Sequence, residues 1–242
     1  MPRHESSPPP AAAAGPHSAR PRWNAIVVAG GRARRLGGID KTALVWRGRS
    51  LLDGVVAAAS GARRTCVVGS DAVLPADVLR AVETPRWGGP AAAIVAGLAA
   101  LAAASDAGTD AGSDPDWVLV LAGDLVHADA AVPLLLAEFD RISGTLPVDA
   151  AGPPVDGLIS VDPDGRRQPL LAVYRLAALV ASAGRRPADN LAVMSLVGGL
   201  NLVEFRLLDA LGEDVDTPAD AARLGIVLPA ATAAPDAPRR ER

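Results

Sequence analysis

A-I-V-V-A-G-G-R-A-R-R-L-G-G-I-D-K, residues 25–41, joins a short β-branched run to a loop holding four glycines and four basic side chains. The run reads as a buried strand. Gly30, Gly31, Gly37 and Gly38 let the following backbone turn sharply and approach a ligand closely. Arg32, Arg34, Arg35 and Lys41 supply the charge that a polyphosphate needs, Arg35 as a bidentate fork and Lys41 as a point charge. Taken together, the stretch reads as a first strand delivering a phosphate loop for a nucleoside triphosphate.

Outward from that strand, β-branched runs alternate with Ala/Leu-rich segments of helical length, the pattern of a parallel sheet wrapped by helices. Strands are expected at 25–28, 65–68, 117–121, 158–161, 170–174 and 202–207, with helices at about 51–60, 90–103, 128–141, 175–183, 188–198 and 218–224. Ser50 and Asp53 resemble a capping box for the first helix. Thr217, Pro218 and Asp220 read as N-cap, N1 proline and N3 acid of the last. Residues 1–22 and 229–242 are rich in Pro and Ala and lack a buriable face, so both are expected to be disordered tails around a domain at 23–228. A further polar stretch, 104–116, reads as a long surface loop.

Composition narrows the function classes. The chain has 242 residues, half of them hydrophobic, which is enough for one α/β domain of ordinary size. Its 24 Lys and Arg against 27 Asp and Glu leave a net charge of -3, which argues against nucleic-acid and membrane-surface binding. Cys66 is the single cysteine, so an intramolecular disulfide is excluded, and T-C-V-V reads as a buried strand thiol. No apolar stretch is long enough to span a bilayer and the N-terminus has no signal-peptide core, which predicts a cytoplasmic protein.

In open sheets of this kind ligands bind beyond the carboxyl ends of the strands. Three charged groups are expected there: the glycine/arginine loop, Asp124 after the 117–121 strand, and D-V-D-T-P at 214–218. Asp124 can hold Mg²⁺ and through it the phosphates. Asp216 is read either as a second metal ligand or as part of the cap of the last helix. The loop does not match G-x-G-x-x-G, and Lys41-Thr42 lacks the glycine that a Walker A loop places before its Lys. His127 reads as a loop histidine with no catalytic task.

These motifs, with G-G-P-A-A-A-I-V-A-G-L at 88–98, A-G-D at 122–124, R-Q-P-L-L-A-V-Y at 167–174 and D-V-D-T-P-A-D at 214–220, resemble the molybdenum cofactor guanylyltransferase family. The resemblance spans nearly the whole core in the family's order. It implies a three-layer, Rossmann-like nucleotidyltransferase fold with a mostly parallel central sheet. It also implies Mg²⁺-dependent transfer of GMP from GTP to molybdopterin with release of pyrophosphate.

By the same resemblance, Val28, Ala29, Gly30, Gly31, Lys41, Thr84, Gly89, Pro90 and Asp124 would contact the nucleotide, with Arg35, Lys41 and Asp124 at the chemistry. Arg166, Arg167 and Gln168 would face the acceptor, and molybdoenzyme apoproteins or other cofactor-biosynthesis proteins would be partners. The chain departs from the family where Gly123 and Val126 replace the usual neighbours of the metal-binding Asp. It departs again where Thr84 stands in place of an Asp that helps to read guanine, and where Gly69 stands in place of an Asn. Two alternatives stay open: a nucleotidyltransferase using CTP or another phosphorylated acceptor, and a non-catalytic cofactor-binding homologue.

Overall fold

The computed structural model describes residues 22–30, 40–106, 115–143, 154–207, 211–213, 215 and 217–228. The two tails apart from Arg22, the loop residues 31–39 with Gly31 and Arg35, most of the 104–116 stretch, Asp214 and Asp216 lie outside them.

In chain order the elements are β1 (Trp23–Val28), β2 (Val45–Trp46), β3 (Arg49–Ser50), α1 (Leu51–Ala58), β4 (Thr65–Val68), β5 (Leu79–Ala81), α2 (Pro90–Asp106), β6 (Trp117–Ala122), α3 (Ala128–Ser143), β7 (Gly157–Val161), β8 (Arg167–Arg175), α4 (Leu176–Ala183), α5 (Val193–Val197), β9 (Leu202–Arg206) and α6 (Pro218–Arg223). Among the described residues seven strands form one sheet in the order β5-β4-β1-β6-β8-β7-β9. All run the same way except β8, which is antiparallel to both its neighbours. The sheet is therefore mostly parallel, as the alternation of strand and helix runs implies.

Period-2 alternation along the central strands separates two apolar layers. Ala25 and Val27 of β1, Val67 of β4, and Leu119 and Leu121 of β6 pack on α1 and α3 through Leu52, Val55, Val132, Leu135 and Phe139. Ile26, Val28, Cys66, Val68, Val118 and Val120 face the other way, onto α2, α4 and α5. Because both faces are covered, these strands are mostly apolar rather than alternating with polar residues, the buried Asn24 of β1 being an exception. Helix α2 lies tightly on β1, since a Cβ at Gly97 would come within 2.8 Å of Ile26 Cγ2. A third cluster, with Leu44, Leu51, Val126 and Val215, ties α6 to the edge of the sheet from which the ligand loops leave.

Local signals in the chain account for the helix starts. Ser50 Oγ accepts the Asp53 N–H at 3.0 Å. At α6, Thr217 and Asp220 form the full reciprocal capping box with Pro218 in the first turn. The segment expected to be helical from 188 is not helical until Val193. Asn190 has φ 52°, outside the helical region, and its N–H donates instead to the Gly88 carbonyl at 2.7 Å. Two further departures are β5, a three-residue edge strand, and the β2–β3 hairpin. Arg47 and Gly48 turn that hairpin with φ 50° and 83°.

Tyr174 is fully buried, its hydroxyl donating to the Pro169 carbonyl at 2.9 Å, and burial pushes its pKa up. Burial likewise pushes the Cys66 thiol from 9.0 up to about 11. Folding favours the neutral thiol, so any stability it contributes is complete below pH 9.0 and is lost as pH rises towards about 11. Alkylation of Cys66 at a pH inside that window is expected to be slow on the native chain and fast in denaturant. In a separate test, Phe139→Ala, which empties a 1% exposed site stacked edge-on against Trp117, should cost about 3–5 kcal/mol in denaturant unfolding.

Candidate active site

The register of the central strands brings their exits level. Val28 pairs with Val68 on one side and with Ala122 on the other, so the backbone leaves β1, β4 and β6 at a common height. Ala29 continues the ladder by donating to the Val68 carbonyl at 2.9 Å, and Gly123 donates to the Val28 carbonyl at 2.8 Å. Val28 and Ala29 place their side chains in the core. What they can offer a ligand is backbone, not side chain. Gly30 and Gly69 then meet face to face. Gly69 has φ +84°, and a Cβ there would come within 2.6 Å of Gly30 Cα. A side chain at Gly69 would therefore push into the start of the glycine/arginine loop.

Lys41 and Asp124 come together at this edge. Asp40 fixes the Lys41–Ala43 3-10 turn by accepting the Thr42 N–H at 2.9 Å and the Thr42 hydroxyl at 2.8 Å. The turn presents Lys41 Nζ 3.9 Å from Asp124 Oδ2, with both side chains mostly buried, at 17% and 20% exposure. That separation is a Coulombic contact rather than a hydrogen bond. A cation and a carboxylate paired in this way at a strand exit can offset the charge of a polyphosphate and hold its counter-ion. Of the third expected group, Asp214 and Asp216 lie outside the described residues; just before it, the Glu213 carbonyl accepts the Val126 N–H at 3.1 Å, which anchors the 211–213 turn beside the Asp124 loop.

Among the described residues, no three His, Cys, Asp or Glu side chains gather as a metal site. This donor set still fits Mg²⁺, which commonly takes one or two carboxylates and completes its shell with substrate phosphates and water. Asp124 can be such a ligand.

Beside the Asp124 loop lies a mainly apolar cavity of about 350 Å³, bounded by Pro90, Ala122, Leu125, Gln168, Leu170 and Val193 among others. Gln168 is on its wall, held by a 3.2 Å hydrogen bond from its Nε2 to Asp162. Arg166 and Arg167 do not line it. Arg166 is exposed in the hairpin turn, and Arg167 donates to Glu204 of β9 at 2.7 Å. Gly89 and Pro90 head α2, and His127 packs edge-on against Trp46 with ring centroids 5.0 Å apart.

The largest departure from expectation concerns residues 83 and 84. Thr84 is exposed, whereas Glu83 is only 4% exposed and lies against Gly30 and Gly69. A signal for it is present in the chain. β5 ends at Ala81, but the alternation of burial runs two residues further: Leu79, Ala81 and Glu83 are the more buried positions and Arg80 and Val82 the exposed ones, so Glu83 points inward.

With that geometry in view, three kinds of similarity were found. The family model described as the MobA-like NTP transferase domain matches residues 25–196. A molybdenum cofactor guanylyltransferase of Acidiphilium cryptum (strain JF-5) is 51% identical over 37 residues, a stretch covering 15% of this chain and 19% of that relative.

Two solved structures share the fold. Molybdopterin-guanine dinucleotide biosynthesis protein A from Archaeoglobus fulgidus aligns with a TM-score of 0.55 and 20% identity, over 83% of this chain and 96% of its own. The 2-C-methyl-D-erythritol 4-phosphate cytidylyltransferase from Thermus thermophilus aligns with a TM-score of 0.52 and 14% identity, over 82% and 95%. Gly69→Ala, which places a Cβ against Gly30 at positive φ, is expected to lower stability by about 1–3 kcal/mol. It should also weaken nucleoside triphosphate binding at least tenfold in calorimetric titration.

Proposed function

This chain belongs to the MobA-like NTP transferase family, and from that premise we propose that it transfers GMP from GTP to the terminal phosphate of molybdopterin, releasing pyrophosphate. The observation that carries the reading is the Lys41–Asp124 pair at the level exits of β1 and β6, between a glycine-built nucleotide side and an apolar cavity on the acceptor side. The 37-residue stretch shared with a guanylyltransferase supports the choice of donor and acceptor.

In this reading an oxygen of the acceptor phosphate attacks the α-phosphorus of GTP. A new P–O bond forms as the bond to the β-phosphate oxygen breaks, and the electron pair leaves with pyrophosphate. The attacking oxygen is already ionised, so the chain needs no base and its work is positioning and charge neutralisation. Lys41 balances charge on the phosphates, and Arg35 from the glycine/arginine loop is assigned the same task on the leaving group. Asp124 would hold Mg²⁺, with Asp216 as a second ligand, and the ion would supply further neutralisation of the phosphate oxygens. Gln168 offers its amide to the acceptor from the cavity wall. The 23–228 segment is assigned as the catalytic domain. Among the described residues no helix is long and apolar enough to cross a membrane. The compartment assigned to the reaction is the cytoplasm.

Incubation with Mg²⁺, molybdopterin and each nucleoside triphosphate in turn, with pyrophosphate as the readout, tests the reading. GTP is expected to be used well ahead of CTP, and Asp124→Ala to lower turnover by about 10²–10³-fold. Equal use of CTP and GTP would overturn the guanylyl assignment, and unchanged turnover in Asp124→Ala would overturn the metal assignment.

A further inference from the structure

One wall of the apolar cavity is a stretch where β8 leaves its neighbours. While β7 advances one residue, from Ile159 to Ser160, β8 takes four, from Ala172 to Gln168. Pro169 and Leu170 are paired in neither the β6 nor the β7 register. The looped-out residues are those that meet the cavity, since Gln168, Pro169, Leu170 and Leu171 all line it. A bulge beside a site re-aims side chains, but it leaves backbone groups without ladder partners.

Tyr174 satisfies one of those groups. Its hydroxyl donates to the Pro169 carbonyl at 2.9 Å, five residues back along the same strand. In a straight strand two such residues stand about 16 Å apart, beyond the reach of a tyrosine side chain. The bond therefore forms only when 169–171 fold back. Proline has no N–H, so Pro169 is tied to the sheet through its carbonyl. Tyr174 does not line the cavity; it is fully buried in the apolar layer that holds Ile94, Leu179, Val193 and Leu196. Val193 of that layer lines the cavity as well. A hydroxyl carried by the core thus sets one wall of the cavity relative to another.

We propose that Tyr174 is a positioning residue for the acceptor, its hydroxyl holding the 169–171 bulge in the form that sets Gln168 and Leu170 against the bound molecule. The assignment rests on the transfer reading above, which puts the acceptor in this cavity. The bulge is pinned at its ends by the pairing of Leu171 with Leu121 and by the hydrogen bond from Gln168 Nε2 to Asp162. Its middle is held through the Pro169 carbonyl. A wall displaced by about 1 Å weakens what it positions, while the nucleotide half of the cleft, built on β1, β4 and β6, stays as it is.

Tyr174→Phe removes the hydroxyl and keeps the ring in its layer. Pyrophosphate release with GTP, Mg²⁺ and varied molybdopterin, and anaerobic calorimetric titration of molybdopterin, test the proposal in the full chain, with each variant shown by thermal melting to be folded. In Tyr174→Phe the KM and Kd for molybdopterin should rise about tenfold, with kcat and GTP affinity changed by less than about threefold. In a Gln168→Ala background the same substitution should add much less than it does alone, because both changes act on one contact. Phe139→Ala, which loosens the opposite apolar layer, should leave the molybdopterin KM unchanged. Pro169→Gly, which keeps the accepting carbonyl and frees the bulge, should raise that KM without altering GTP affinity.

An unmoved molybdopterin KM in Tyr174→Phe overturns the proposal. Equal weakening of molybdopterin and GTP, or an equal rise in Phe139→Ala, overturns it too, since either marks a general loss of packing. Full additivity with Gln168→Ala does the same. If Tyr174→Phe weakens molybdopterin in titration while the native chain releases no pyrophosphate, the transfer reading falls and the role of Tyr174 stands. Pyrophosphate release with a molybdopterin KM indifferent to Tyr174→Phe gives the reverse.

Discussion

β1 is enclosed in every direction: helices cover both faces, and parallel partners occupy both edges. Its backbone groups have ladder partners on either side, and beyond Trp23 its side chains are buried. A one-residue slip would move Ala25 and Val27 into the layer that holds Ile26 and Val28. The register of β1 against β4 and β6 is therefore held by two cores at once. Everything at the ligand edge inherits its position from that register: the Gly30–Gly69 contact, the Gly123 hydrogen bond to Val28, and the level at which Asp124 leaves β6.

How far the chain could be read in advance follows from the same burial. Strands covered on both faces are long runs of Val, Ile and Leu, so β1, β4 and β6 stand out, and Thr65–Val68 has the bounds its β-branched residues imply. The start of α6 was legible because Thr217, Pro218 and Asp220 make the cap by themselves. β5 was not, since three residues at a sheet edge, one of them Arg80, carry too little pattern. The late start of α5 depends on Asn190 bonding to Gly88, a contact across 102 positions that no local propensity reports.

The site divides along the same line. Lys41 and Asp124 were legible because each follows an apolar run at a place where sheets of this kind bind ligands. Glu83 was given no role, because the resemblance puts the ligand contact at the next position, Thr84. Only the phase of the short strand before it turns the carboxylate inward and the hydroxyl outward. Arg166 and Arg167 illustrate the converse. Adjacent basic residues suit an anionic ligand on paper, but the pleat and the Glu204 carboxylate draw Arg167 to the β9 side, and Gln168 is the one of the three on the cavity wall.

β8 alone runs against the rest of the sheet, and Leu171 pairs with Leu121 so that 167–169 extend past the end of β6. A reversed strand delivers its beginning, not its end, to the ligand edge. The two halves of the cleft are thus encoded in different ways. One is assembled from the exits of β1, β4, β5 and β6, scattered over a hundred residues and locked by a shared register. The other comes largely from one local hairpin, β7–β8, whose turn at 162–166 is exposed for the most part. A hairpin can lengthen, shorten or change its side chains without shifting any strand that supports the first half. This architecture lets the pocket beside Asp124 diversify by local insertion and drift while the glycine-lined half stays frozen.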